Sequence, residues 1–214
     1  MGRKPRIVLA EDESAQKQFV PPSPKNIARL YNPNLPDSPR VEELCAIAAR
    51  FGLDPSGVGD FCRIVANGEQ VAFVLGYRGI LRLATQSGQV AFMGAYPVYS
   101  RDTFALDLGT QYVKHAPYDG EEDPGPLMGA YCLLLDPAGG KRIEYASGRE
   151  IAAVAQRWWE RWMPIAELAR RLVSIKTIYS SPLDFGLLRP ALDLEQRTTR
   201  GQEIPEYDTL LGRQ

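Results

Sequence analysis

QVAFVLGYRGILRLATQSGQVAFMGAYPVY, residues 70–99, is the stretch whose reading decides the fold. It reads as strand, tight turn, short helix, strand. Gln70–Leu75 is apolar and β-branched, with Phe73 and Val74 at its centre. Gly76-Tyr77-Arg78-Gly79 breaks the strand. Ile80–Ala84 has helical spacing, and Gly88 ends that helix where a left-handed cap is wanted. Gln89–Tyr99 is extended again. Two glycines bracket an aromatic ring and a base, so backbone groups and two polar-tipped side chains are offered together at a sheet edge. That arrangement suits a phosphate-rich, planar ligand.

Upstream, Phe61–Val65 and Gln70–Leu75 form a hairpin across Asn67-Gly68. Val41 to Gly52 is a helix, with Ser38 as N-cap, Pro39 in the first position and Glu42 and Glu43 at the positive end of the dipole. Prolines crowd residues 1–40 and forbid a long helix or central strand, so a flexible arm is expected there. Downstream, Thr103–Leu108 alternates and has one wet face. Gln111–His115 is a short strand, and Leu127–Leu135 with Lys141–Ala146 a hairpin. Asp119, Glu121, Glu122 and Asp123 lie in an exposed acidic loop. Two helices follow. Gly148–Met163 carries a stripe that includes Ile151, Val154, Trp158, Trp159 and Trp162. Ile165–Ser180 buries Ile165, Leu168, Leu172, Ile175 and Tyr179, with Glu167, Arg170, Arg171 and Ser174 opposite and Lys176 at the apolar edge. The fold class is α+β with an antiparallel sheet. The organisation expected is an arm (1–40), a core (41–190) and a polar, disordered tail (191–214).

The chain has 214 residues, 44% of them hydrophobic, which suffices for a core. A formal charge of −1 neither supports nor excludes a nucleic-acid partner, because binding depends on where charges sit. Cys45, Cys62 and Cys132 are read as buried free thiols in a reducing compartment. No apolar run is long enough to cross a membrane, and the start is a poor secretory signal, so a cytoplasmic protein is expected. Neither a Walker loop, a nucleophile elbow nor a dinucleotide fingerprint occurs. His115 is the only histidine, and a packing role is expected for it. An enzyme using Asp102, Asp107 and Glu144 as metal ligands, and a non-catalytic scaffold module, are the competing readings. Basic residues gather in the central stretch and on the late helices.

Several motifs stand in a familiar order. Leu53-Asp54-Pro55 follows the opening helix. Gly76-Tyr77-Arg78-Gly79-Ile80 leads to Ala84 and Ser87-Gly88-Gln89-Val90. Val98-Tyr99 precedes Asp102-Thr103-Phe104. Leu108-Gly109, His115-Ala116-Pro117, Gly129-Ala130-Tyr131 and Glu167-Leu168-Ala169-Arg170-Arg171 complete the series. From Val41 to Leu183 the chain thereby resembles the RecT family of phage single-strand annealing proteins. Leu172 and Ile175 depart from that family's pattern.

The resemblance implies an ATP-independent recombinase, not an enzyme, that binds single-stranded DNA and the annealed duplex in the cytoplasm of a bacterial host. It implies a homo-oligomer, ring or helical filament, working beside a phage exonuclease and a host single-strand-binding protein. No cofactor is required; Mg2+ bound with DNA is left open. The residues assigned to DNA are Tyr77, Arg78, Arg82, Lys114, Lys141, Arg142, Arg170, Arg171 and Lys176. The expected groove runs between the element carrying Tyr77, Arg78 and Arg82 and the helix carrying Arg170, Arg171 and Lys176. Such bases hold phosphates without reading sequence.

Overall fold

The computed structural model describes residues 28, 32, 34–157, 159–160, 163–204 and 206. The expectations for the arm before residue 28, for Trp158 and Trp162, and for the tail beyond 206 lie outside the described residues. Helix α1 (Pro39–Arg50) opens the core, burying Val41, Leu44, Cys45, Ile47 and Ala48. Strands β1 (Cys62–Asn67) and β2 (Gln70–Leu75) pair antiparallel, and helix α2 (Tyr77–Gln86) follows at once. Strand β3 (Phe92–Tyr99) joins a sheet of order β3-β6-β7 with β6 (Leu127–Leu135) and β7 (Lys141–Ser147). Strands β4 (Thr103–Asp107) and β5 (Tyr112–Ala116) make a separate hairpin whose outer positions alternate in exposure, as read from the sequence. Helices α3 (Gly148–Val154), α4 (Ile165–Ser180) and α5 (Leu188–Thr199) complete an α+β fold with antiparallel sheets.

Helix α4 is the centre of the molecule. One side packs on the three-stranded sheet, where Ser174 meets Cys132. Another side faces β2 and α5. It therefore buries Leu168, Ala169, Arg171, Val173, Ser174, Thr177 and Ile178. The stripe expected from spacing is displaced: Ile165 and Tyr179 are exposed, while Arg171 and Ser174, placed on the wet side, are inside. A helix covered on two sides has no single apolar stripe to read.

Arg171 explains the displacement. It is 2% exposed, and its guanidinium donates to the Leu75 carbonyl (2.7 Å), to Glu160 (2.6 Å) and to Glu195. Glu195 in turn accepts the Leu75 N–H at 2.8 Å, and the Thr198 hydroxyl accepts the Phe73 N–H at 3.1 Å. The free edge of β2 is thus paired by side chains of α5 and α4 instead of by another strand, which closes an edge that would otherwise invite a foreign strand.

Two expectations change for the same reason. Helix α3 ends at Val154 instead of Met163, and the chain turns so that Glu160, 1% exposed, can enter the core. The polar tail expected from residue 191 begins as helix α5, with Leu188, Ala191, Leu192 and Leu194 buried; its charged residues are partly structural, so polarity misreports it. Cys45, Cys62 and Cys132 are buried thiols outside any disulfide, and burial pushes Cys132 up to about 11.

Arg171→Ala leaves two buried carboxylates without their cation and the Leu75 carbonyl without its donor. We expect a loss of about 3–5 kcal/mol in unfolding free energy, measured by urea denaturation.

Candidate functional site

The Gly76–Gly79 turn is built for contact with its own chain. A Cβ on Gly76 would lie 2.1 Å from the Asp60 carbonyl oxygen, and one on Gly79 would lie 2.0 Å from that of Phe61. The two glycines let the 60–61 backbone run directly against α2. The Gly76 N–H donates to the Phe61 carbonyl at 3.0 Å. The Tyr77 N–H donates to the Asp60 carboxylate at 2.9 Å. Asp60 stands at φ 57° in the left-handed region to deliver that contact. Burial pushes its carboxyl above the ordinary range, partly offset by the Tyr77 N–H. The helix start read as open to a phosphate is therefore occupied by Asp60, an anion that the helix dipole favours there.

Tyr77 packs between α2 and β3, and its hydroxyl accepts the Ala95 N–H at 2.9 Å, closing part of the β3 edge. Burial pushes its phenol up. Arg78 is exposed and makes no ion pair with any described residue. Arg82, one turn on, is exposed, with its guanidinium 5.6 Å from the centre of the Phe61 ring. Arg170 is half-buried and paired with Glu167, and its charge is felt by the Tyr77 phenol. Tyr77, Arg78, Arg82 and Arg170 thus belong to one neighbourhood.

The other assigned residues separate from them. Arg171 is a correction: its buried, fully engaged guanidinium cannot reach a phosphate. The half-buried Lys176 reaches into the groove between α4 and the sheet, as its edge position allows, and donates to the Tyr145 carbonyl (2.7 Å) and Glu150 (2.9 Å). Arg142 donates to the Ser180 carbonyl at 2.6 Å, capping the C-terminal end of α4. Both are structural in these contacts. Lys114 is exposed on the outer face of β5, and Lys141 is exposed at the start of β7.

A second cluster joins two motifs. His115 is hydrogen-bonded through Nε2 to Asp102 (3.0 Å) and faces the Tyr131 hydroxyl through Nδ1 (3.3 Å). Asp102 also accepts the N–H groups of Tyr99 (2.7 Å) and Tyr118 (2.9 Å). Burial pushes its carboxyl up, but these donors outweigh it and hold it below the usual range. The pair closes the β4–β5 hairpin onto the sheet. Here the histidine has the packing role expected of it. The sequence reading did not find its partner Asp102, although hairpin pairing sets Phe104 opposite His115 with Asp102 two residues earlier. The Glu160–Arg171–Glu195 set carries no such local signal. Among the described residues no group of three or more His, Cys, Asp or Glu is placed to hold a metal ion. Asp102, Asp107 and Glu144 are not gathered: Asp107 caps the Gly109 and Thr110 N–H groups at the hairpin tip.

A family model for the RecT family matches residues 36–168. The chain belongs to the RecT family. Its matched span takes in α1, the Gly76–Gly79 turn, the whole three-stranded sheet and the Asp102–His115 pair. Protein RecT of Escherichia coli (strain K12) is 31% identical over 87 residues, which is 40% of this chain and 32% of that protein. The match thus spans about a third of that RecT protein's length. No described helix is long and apolar enough to cross a membrane.

Glu150 offers a pH test of the Lys176 contact. Hydrogen bonds from Lys176 and from Ser147 lower its carboxyl from 4.5 to about 2. A depressed carboxylate stabilises the fold fully above its unfolded value and loses that contribution as pH falls through the folded one. Glu150→Gln should flatten the stability decline between pH 4.5 and about 2, measured by denaturation at stepped pH.

Proposed function

We propose that this chain binds single-stranded DNA and anneals complementary strands without ATP, as a cytoplasmic homo-oligomer in phage-type recombination. The family match over most of the folded core carries the reading. Annealing needs the strand held by its backbone with bases free to test pairing. Exposed guanidinium and ammonium groups do this, since they neutralise phosphates without reading sequence. In this reading Arg78 and Arg82 on α2, with Arg170 beside them, form the principal phosphate site, and Lys114 and Lys141 are exposed cations apart from it that a longer strand would meet. Arg171 is excluded by burial; Tyr77 holds the start of α2 on β3, and Arg142 and Lys176 fasten α4 to the sheet. Copies of the chain align these patches into a track, which lets a nearly neutral protein present one basic face. An exonuclease supplies the single strands, a host single-strand-binding protein meets them, and Mg2+ joins as a counterion of the annealed duplex.

The deciding experiment mixes end-labelled complementary oligonucleotides with the protein and no nucleotide. Accelerated duplex formation with intact strands, absent for non-complementary strands, is expected. No acceleration and no salt-dependent binding overturns the reading. In the Arg78→Ala/Arg82→Ala variant, the slope of log affinity against log salt should fall by about 0.7 for each phosphate no longer neutralised, while the thermal melt is unchanged.

A further inference from the structure

The sheet has a face turned away from α4, and part of it is uncovered. Residues directly paired across strands share a face. Phe92, Leu135 and Lys141 form one row, Gly94, Leu133 and Ile143 the next, and Tyr96, Tyr131 and Tyr145 the third. The β4–β5 hairpin packs on this face through Phe104, Leu106 and Val113. It leaves the β3 end open: Phe92 is 42% and Tyr96 39% exposed. Between them stands Gly94. A Cβ there would meet the Tyr96 hydroxyl at 2.8 Å and a Phe92 ring carbon at 3.0 Å, so both rings lie over the glycine. Its lack of a side chain is used for space and gives the two rings a flat floor.

Tyr96 is held in place. It stacks on Tyr131 at 5.2 Å and 27° between planes. Tyr131 stacks on Phe104 at 5.7 Å, and Phe104 on Tyr145 at 6.1 Å. Tyr96 is therefore the outermost ring of a four-ring series, rigid and facing solvent. Cations flank the floor. Lys141 shares the Phe92 row. On the other side the Tyr77 hydroxyl accepts the N–H of Ala95, the residue before Tyr96, and the exposed Arg78 follows Tyr77 on α2.

We propose that the Phe92 and Tyr96 rings, lying over Gly94, form a stacking platform for the unpaired bases of single-stranded DNA whose phosphates bind the adjoining cations. The proposal rests on the DNA-binding reading above and adds to it a site for the bases. Stacking suits annealing because every base has a π-face, so no sequence is preferred. It also leaves the pairing edges of the base free for the incoming strand. A second copy of the chain is a poorer occupant. Two exposed side chains fall well short of the roughly 800 Å² that each partner buries in a stable interface, and the cations beside them match a polyanion.

The test compares two probes, a thymidine oligonucleotide and a strand of equal length carrying abasic sites through its centre. Both have the same phosphates. The wild-type chain should bind the thymidine strand about tenfold or more tighter than the abasic one. Phe92→Ala and Tyr96→Ala should each shrink that ratio toward one and leave abasic-strand affinity unchanged, while Tyr96→Trp keeps it. Phe92 lies at the margin of the sheet face, so its variant remains informative if Tyr96→Ala unfolds. Equal wild-type affinity for both strands overturns the platform and leaves DNA binding standing. Binding of neither strand removes both readings. Variants that change the oligomer mass by light scattering but keep the thymidine preference make the face a contact between copies and overturn the platform.

Discussion

A single guanidinium holds together parts of the chain that are distant in sequence. Arg171 joins the central helix to the end of β2, to the turn after α3 and to α5. Its partner Glu195 takes the Leu75 N–H while Arg171 takes the Leu75 carbonyl, so the two together present to β2 the donor and acceptor a neighbouring strand would have offered. Bringing these charges inside is costly, and it is tolerable only because the guanidinium's donors and most of the carboxylate oxygens are used. Burial pushes Glu160 up even so, and the Glu195 carboxylate that shares its cation adds to this; among the described residues the Glu160 Oε2 has no hydrogen-bond partner. The position of α4, and hence of every cation on or beside it, follows from this set.

The other constraint is steric. Gly76 and Gly79 allow the Asp60–Phe61 backbone to touch α2, and that contact aims α2 so that Tyr77 reaches the β3 edge. Arg78 and Arg82 then project outward by helical geometry. The short motif acts at one remove from any ligand. Its glycines place a helix, and the helix displays the bases. Much the same holds for Asp102 and His115, which fasten a hairpin over the sheet and thereby decide which aromatic rings are covered and which are left at the β3 end.

Element types and order were legible from residues 41 to 180 because each carries a local signal. The β2 run, the Asn67-Gly68 turn, the left-handed Gly88 at φ 71° and the alternation of β4 all act within a few residues of themselves. The family likeness was legible for a related reason, since its motifs are short and collinear. The candidate site was legible only in part. Arg78 and Arg82 are exposed and Arg171 is buried, a difference that three arginines on helices do not show in sequence.

By itself, then, the sequence determined an α+β chain of antiparallel hairpins, the position of its turns, three buried thiols and membership in the RecT family. Tertiary structure alone decided which arginines are free and which are structural, that the Asp60 carboxylate fills the start of α2, that α5 is a helix closing a strand edge, and that Phe92 and Tyr96 face solvent. The physical reason is range. Turns, caps and periodicity are set by neighbours along the chain, while burial and charge pairing depend on residues far apart in it, 120 positions in the case of Leu75 and Glu195.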